Sequence, residues 1–189
     1  RNTLDALDRE LKEIKETREH ARRLRLALKR EIEMGYVAIE TEGTRIVIHI
    51  MEKASFDSGL ADVRPEFQPV LEKISGLIDN ASGDVTISGH TDNVPIFTDR
   101  FRSNWELSTS RAVSVAHELL EFSPIDAERV QVTGHADTQP RATNDTVDGR
   151  AKNRRVDISI IRGAELDQIR QMSISQTAAS TIASEEQQP

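Results

Sequence analysis

The chain has 189 residues, a net charge of −7 and no cysteine, and only 37% of its residues are hydrophobic. This length allows one domain with extensions, and the low apolar fraction indicates that part of the chain lies outside a packed core. The acidic balance disfavours nucleic acid as a partner, because nucleic-acid binding requires a dense basic surface. The lack of cysteine excludes disulfides, thiolate metal ligands and a cysteine nucleophile.

Residues 1–34 carry a charge at more than half of their positions and contain neither glycine nor proline. Apolar residues recur every three or four positions, which predicts an amphipathic helix about 48 Å long. The same stripe includes Arg18 and Arg25, so a continuous coiled coil is disfavoured in its middle. Two compatible interpretations remain open, namely a charged, solvated lead-in helix and a spacer that joins an upstream part to the following domain.

Residues 35–163 have the pattern of an α+β domain. Five short segments are rich in β-branched residues and predict strands, at 36–39, 45–50, 85–88, 130–133 and 156–161. Two amphipathic helices are predicted between them, one opening at Pro65 and one running from Trp105 to Phe122. This alternation predicts a βαβαβ sandwich with a mixed sheet covered by helices.

Residues 164–189 are rich in Ser, Thr, Ala and Gln. A short helix is predicted through Leu166, Ile169 and Met172. Beyond it we expect a polar, largely disordered tail, since little apolar surface is available to offset the entropy of ordering.

A short internal repeat ends two of the predicted strands with Gly-His-x-Asp. It places His90 and Asp92 after one strand and His135 and Asp137 after another. Four such groups at one edge could ligate zinc and activate water, which gives a wall-active metallohydrolase as an alternative function. The sequence has no H-E-x-x-H helix, and histidines that form hydrogen bonds at strand ends explain the repeat without a metal. We therefore expect no metal site.

The other histidines, His20, His49 and His117, are scattered along the chain, and we expect them at the surface or at sheet edges. Trp105 is the only tryptophan, and we expect it to pack in the core.

Asp92 and Arg111 are the charged pair of greatest interest. Asp92 ends a predicted strand, and Arg111 lies in the first turns of the helix that follows the next loop. The pair could form a structural salt bridge. It could also present opposite charges to one zwitterionic ligand, with the aspartate accepting from an ammonium and the arginine binding a carboxylate.

Three ordered motifs surround this pair. They are Gly89-His90-Thr91-Asp92-Asn93-Val94-Pro95, then Asn104-Trp105-Glu106-Leu107-Ser108-Thr109-Ser110-Arg111-Ala112, then Asn153-Arg154-Arg155-Val156. Over about residues 45–162, the chain resembles the OmpA-like peptidoglycan-binding family. The longer loop after Asp92 and the string Glu52-Lys53-Ala54-Ser55-Phe56-Asp57-Ser58-Gly59-Leu60-Ala61-Asp62 resemble, more narrowly, the flagellar stator B subunits (MotB and PomB), with a leaning to the sodium-driven PomB type.

The resemblance implies a site for the diaminopimelate of the cell-wall peptide. Asp92 and Arg111 would hold its zwitterionic end, and Asn104, together with backbone near Thr91 and Leu107, would line the pocket. Arg154 would be a further candidate for a peptide carboxylate. No cofactor, no metal and no enzymatic activity are implied.

The resemblance also implies a cellular role. The domain would be the periplasmic part of a single-pass inner-membrane protein and would anchor the stator, an ion-channel complex, to peptidoglycan. Its expected partners are peptidoglycan, a second copy of the chain, a stator A subunit (MotA/PomA type) and periplasmic flagellar ring proteins, and we expect the transmembrane segment to lie upstream of Arg1. The loop between Asp92 and Arg111, which carries Phe97, Arg100, Phe101 and Arg102, could cover the pocket. A dimerisation module without wall binding is a third possible function.

Overall fold

Five strands form a single mixed sheet in the computed structural model, which describes residues 2–79 and 81–162. The strands are β1 (Val37–Glu42), β2 (Arg45–Met51), β3 (Asp84–His90), β4 (Val130–Gly134) and β5 (Arg155–Ile161). Their order across the sheet is β1-β2-β5-β3-β4, with only the β3–β4 pair parallel. The five predicted strands and the mixed α+β sheet are confirmed.

Six helices accompany the sheet in the described part of the chain. They are α1 (Asn2–Ala27), α2 (Lys29–Glu33), α3 (Glu52–Ser55), α4 (Gln68–Asp79), α5 (Asn104–Phe122) and α6 (Val147–Asn153). The helix that was predicted to open at Pro65 begins there as one 3₁₀ turn, Pro65–Phe67, and continues as α4. Within these residues no helix is both long and apolar enough to cross a bilayer.

The core lies between the helices and one face of the sheet. Alternate residues of the three central strands point into it, and Ile158 of β5 pairs with Ile48 of β2 on one side and with Ile87 of β3 on the other. All three isoleucines are fully or almost fully buried. They pack in one cluster with buried residues of α4 and α5 such as Ile74 and Val115.

Two glycines allow the start of α5 to lie directly against the sheet. A Cβ atom on Gly89 of β3 would lie 1.8 Å from the carbonyl oxygen of Ser108, and one on Gly134 of β4 would lie 2.0 Å from Oγ1 of Thr109. No side chain fits at these distances, so glycine at both strand ends is required by the close approach. The first turns of α5 are thereby held at the carboxyl ends of the parallel strands.

The lead-in segment is only partly solvated. Leu4, Leu7 and Leu11 are exposed, as expected for a charged helix in water, but Leu24 and Leu28 are completely buried in the core cluster. The helix is interrupted at Leu28, where the backbone leaves helical geometry (φ −106°, ψ 18°). The solvated-helix interpretation is therefore wrong for the second half of α1, which packs against the sheet and α4.

Three single-residue expectations have mixed outcomes. His20 and His49 are 2% and 5% exposed, so the surface expectation is wrong for both, whereas His117 is exposed as expected. Trp105 is 53% exposed rather than packed in the core. The predicted tail at 164–189, with its short helix, lies outside the described residues.

Candidate functional site

A pocket of about 340 Å³ lies beyond the carboxyl end of β3, between the starts of α3, α5 and β5. Every site residue proposed from the sequence lines it, namely Asp92, Arg111, Thr91, Asn104, Leu107 and Arg154. The lining also includes Glu52, Arg150 and the loop residues Val94, Pro95 and Ile96. Residues far apart in sequence therefore meet here in the position expected for a site at strand ends.

Asp92 is fixed by the turn that leaves β3. Its Oδ1 accepts a hydrogen bond from the backbone N–H of Val94 at 3.0 Å, which closes a short Asx turn. Its Oδ2 accepts from Nη1 of Arg154 at 2.7 Å. The residue is only 6% exposed, so the carboxylate is held in one orientation at the pocket wall.

Arg111 lies deeper than Asp92 and is 2% exposed. Its guanidinium donates to the carbonyls of Leu60 at 2.7 Å and Asp57 at 3.3 Å, and to Oε2 of Glu52 at 2.5 Å. It also lies over the ring of Phe56, 5.0 Å from the centroid. Arg111 thus ties α5 to the 52–60 segment as well as lining the pocket.

Asp92 and Arg111 do not pair with each other. Glu52 lies between them in the charge network, because its Oε2 accepts from Arg111 and its Oε1 accepts from Nε of Arg154 at 3.1 Å. Since Arg154 also donates to Asp92, the four side chains form an alternating row, Arg111–Glu52–Arg154–Asp92. A direct structural salt bridge, the simpler of the two interpretations of the pair, is not formed.

The three uncharged site residues support this arrangement. Asn104 donates from Nδ2 to the carbonyl of Val94 at 2.9 Å, which fixes the loop over the start of α5. The backbone N–H of Thr91 donates to Ala136, and that of Leu107 to Ser103, so neither amide is available to a ligand. These residues shape the wall of the pocket rather than offering backbone donors.

Both arginines of the row keep their charge. Burial lowers the pKa of Arg111, and the carboxylate of Glu52 acts against that lowering. Burial also disfavours the charge on Arg154, but hydrogen bonds and attraction from Asp92 and Glu52 outweigh it and raise the pKa. An arginine pKa lies so high that both guanidiniums stay protonated at neutral pH. The pocket therefore presents cations and carboxylates together.

The long loop after Asp92 folds against the protein instead of closing over the pocket mouth. Phe101 is buried with Leu107 and Ala61 in a small second cluster, which Ile96 borders. Phe97 points outward and is 84% exposed. The loop thus forms one wall of an open pocket.

The four residues of the metallohydrolase alternative do not converge. Asp92 points to Arg154, Asp137 is exposed, and His90 lies 3.3 Å from Oδ2 of Asp157 and stacks on His135. No group of three or more metal-binding side chains is arranged around a common point in residues 2–79 and 81–162.

His90 instead belongs to a buried polar cluster on the sheet face opposite the core. Burial alone would raise the pKa of Asp157, but hydrogen bonds from His49 and His90 and the charge of Arg155 outweigh it and hold that pKa well below its usual range. The cluster explains both buried histidines of the neighbouring strands as structural partners of one carboxylate.

Sequence reasoning missed Glu52 and Arg150 as pocket residues. Glu52 is one of 32 acidic residues, and although it begins the string at residues 52–62 used for the resemblance, nothing in that string assigned it to the site. The available signal was its position directly after β2, since charged groups at strand ends collect at one rim of a sheet. Arg150 lies in α6 and donates to the carbonyl of Asn144 at 2.7 Å.

Comparison with known proteins gives similar sequences and similar folds. Motility protein B of Bacillus subtilis (strain 168) is 42% identical over 130 residues, which are 67% of this chain and 50% of that protein. The solved cell wall anchor of the T6SS from Pseudomonas aeruginosa is 41% identical, with a TM-score of 0.69, covering 74% of this chain and 97% of that one. A putative MotB like protein from Desulfovibrio vulgaris has a TM-score of 0.74 at 26% identity, covering 82% and 99%.

These relatives are motility and wall-anchor proteins rather than enzymes, in agreement with the prediction that the chain is not an enzyme. The chain spans about half the length of the curated relatives it matches. The sequence model of the OmpA family matches residues 55–154, which are just over half of the chain and contain all six proposed site residues. The chain therefore belongs to the OmpA family.

Proposed function

We propose that this chain binds peptidoglycan non-covalently through the pocket at the end of β3 and so anchors a larger assembly to the cell wall. The observation that carries the proposal is the convergence of Asp92, Arg111 and Arg154, from three separate motifs, on one pocket of mixed charge. A relative at 41% identity is described as a cell wall anchor, which supports the same role here.

The ligand group that suits this pocket is the zwitterionic end of diaminopimelate. Its ammonium would bind Asp92 and its carboxylate would bind Arg111, with Arg154 next to both. Lysine, which has the ammonium but lacks the carboxylate, would not make the contact with Arg111. Hydrogen bonds to charged groups contribute roughly 1.5–3 kcal/mol each, so the loss of one should weaken binding about tenfold to more than a hundredfold.

Co-sedimentation with isolated sacculi tests this proposal. Asp92→Asn keeps the shape of the side chain and the turn to Val94 but removes the charge, so we expect at least tenfold weaker binding. Asp137→Asn is the matched control, because Asp137 occupies the same place in the internal repeat but is exposed and outside the pocket. Equal sedimentation of Asp92→Asn and wild type, or a soluble wild type, would contradict the proposal.

The assembly that we favour is the flagellar stator. Support comes from the motif strings around Asp92 and Arg111 and from the 42% identity with a motility protein B. Anchoring of a secretion system is the second candidate, favoured by the similarity to the T6SS anchor. The preference for the sodium-driven type over a proton-driven one is a prediction from the motif strings alone.

A stator role implies further partners and a location. The domain would lie in the periplasm, joined through α1 to a membrane segment that contacts a stator A subunit, with flagellar ring proteins nearby. A homodimer is expected, and exposed Leu4, Leu7 and Leu11 at helical spacing on α1 offer an apolar stripe for it. Sedimentation equilibrium of the chain, with Leu7→Glu as the test variant, measures this association.

Swimming assays separate the two candidate assemblies. A chimera would carry this chain in place of the matching part of motility protein B in a Bacillus subtilis strain that lacks that protein. Restored swimming, lost again with Asp92→Asn, is the result expected for a stator role. Wall binding in vitro without restored swimming would favour the secretion-system anchor.

A further inference from the structure

The charged groups of the pocket are already paired in the free protein. Glu52 holds Arg111 at 2.5 Å, and Arg154 holds Asp92 at 2.7 Å. A third contact, 3.1 Å between Glu52 and Arg154, joins the two pairs. In the free protein, Glu52 and Arg154 therefore already contact Arg111 and Asp92, the two charged groups that a zwitterionic ligand would bind.

Glu52 is held in this position from both ends. Its backbone N–H donates to the carbonyl of Arg154 at 3.0 Å, and its side chain is only 13% exposed between the two arginines. Arg111 is anchored separately by two backbone carbonyls, so it would keep its place if Glu52 released it. Arg154 is more accessible, with 33% of its side chain exposed, and can turn towards Glu52 when Asp92 is taken by another cation.

When a ligand binds, Arg111 and Asp92 exchange their internal partners for groups of the ligand. All charges of the row then stay paired for only one kind of ligand. A zwitterion places its carboxylate on Arg111 and its ammonium on Asp92, and the freed Glu52 and Arg154 remain paired with each other. A ligand with only a carboxylate adds one unpaired negative charge to the row, and a ligand with only an ammonium adds one positive charge. Excess charge in a half-buried site is unfavourable.

We propose that Glu52 is a specificity-determining residue of this site, which makes the pocket select a ligand group that carries an ammonium and a carboxylate together. This inference rests on the proposed function, because it concerns the same ligand. Glu52 determines specificity because it is the counterion of Arg111 in the free protein. A ligand that carries only a carboxylate cannot replace Glu52 there without leaving one negative charge unpaired.

Titration calorimetry with three peptides tests the inference. The peptides are a wall tripeptide with diaminopimelate, the same peptide with lysine, whose side-chain end keeps only the ammonium, and the same peptide with 2-aminopimelate (the pimelate peptide), whose side-chain end keeps only the carboxylate. Wild type should prefer the diaminopimelate peptide over both. In Glu52→Gln the ratio of pimelate to lysine affinity should rise about tenfold, because the pocket then has one uncompensated cation.

Two further variants keep the test informative if Glu52→Gln folds poorly. Arg154→Gln changes a more exposed side chain and should shift the ratio in the opposite direction, towards lysine. Glu52→Asp retains the charge and should keep the wild-type ratio even if it lowers the melting temperature. Glu72→Gln, an exposed position on α4 outside the pocket, is the matched control and should leave the ratio unchanged.

The outcomes separate the inference from the proposed function. If wild type binds the diaminopimelate peptide, but neither Glu52→Gln nor Arg154→Gln changes the ratio by more than twofold, the role of Glu52 is refuted and wall binding stands. If wild type binds none of the peptides, the proposed function itself fails and the inference falls with it. Opposite shifts in the two variants, with wild-type ratios in Glu52→Asp and Glu72→Gln, would support the inference.

Discussion

Replacing Arg111 by lysine should destabilise the fold, although it preserves the charge. The guanidinium of Arg111 makes three directed contacts, to the carbonyls of Leu60 and Asp57 and to Glu52, from an almost fully buried position. A lysine ammonium is a point charge that can keep the contact with Glu52 but lacks the planar fork needed to reach both carbonyls. The change therefore isolates the structural part of the arginine's role.

The magnitude follows from the contacts that are lost. Two hydrogen bonds contribute about 1 kcal/mol each, and the position over the ring of Phe56 contributes about 0.5–1 kcal/mol. The expected decrease in the free energy of unfolding is about 2–3 kcal/mol. With a urea slope of about 2 kcal/mol per molar, the middle of the usual range, the midpoint should fall by about 1–1.5 M.

Equilibrium unfolding in urea, followed by circular dichroism, measures this shift. Arg154→Lys is the matched control: it belongs to the same row of charges, but its side chain is 33% exposed and its ion pairs are partly solvated. Such pairs contribute about 0–1 kcal/mol, so its midpoint should remain close to that of wild type. If the two variants unfold at the same urea concentration, Arg111 is not a structural anchor, and our account of its burial is wrong.

The remaining predictions concern protonation and close packing. Burial and the charge of Arg162, which donates to Nδ1 at 3.3 Å, lower the pKa of His20 from 6.5 to about 4. The folded state therefore binds fewer protons than the unfolded state between these values, and stability should fall by about 1.4 kcal/mol per unit as the pH drops through that window. In His20→Gln the fall should be shallower than in wild type, and parallel stability curves from pH 6.5 to 4.5 would contradict the assignment. Gly89→Ala should lower the free energy of unfolding by about 1–3 kcal/mol or more, because the added Cβ would meet the carbonyl of Ser108 at 1.8 Å. Gly76→Ala, with nothing within 4 Å of the added atom, should be neutral or stabilising. Thermal unfolding compares the two glycine variants, and equal melting temperatures would refute the packing argument.

The local pattern of the sequence was sufficient for the secondary structure of the domain. Alternating β-branched residues predict the five strands, and the 3.6-residue period predicts α5 to within one residue at its start. These patterns succeed because strands and helices in this domain bury one face against a common core. The motif strings also identified six residues that the fold brings to one pocket, although they lie up to 63 positions apart.

The pairing of charges within that pocket was decided only by the tertiary structure. Arg111 and Glu52 are 59 positions apart, and Glu52 and Arg154 are 102 apart, so no local spacing indicates that they meet. From the sequence, Asp92 and Arg111 could form a salt bridge or bind one ligand together, but it did not indicate that the start of α3 places Glu52 between them in the row of charges. Which acid meets which base depends on where α3 and β5 begin relative to one another in the folded sheet.

Burial of the lead-in helix has the same explanation. Leu7 and Ala21 lie on the same predicted stripe of the helix, yet one is 54% exposed and the other is completely buried, because only the second half of α1 runs along the sheet. His20 and His49 are buried for a similar reason, since each meets a charged partner from β5 or its end. Length, charge and periodicity by themselves determined a helical lead-in and an α+β domain, and the motif strings indicated the family. Strand order, core membership and ion-pair partners depend on contacts between distant residues, and these exist only once the sheet has formed.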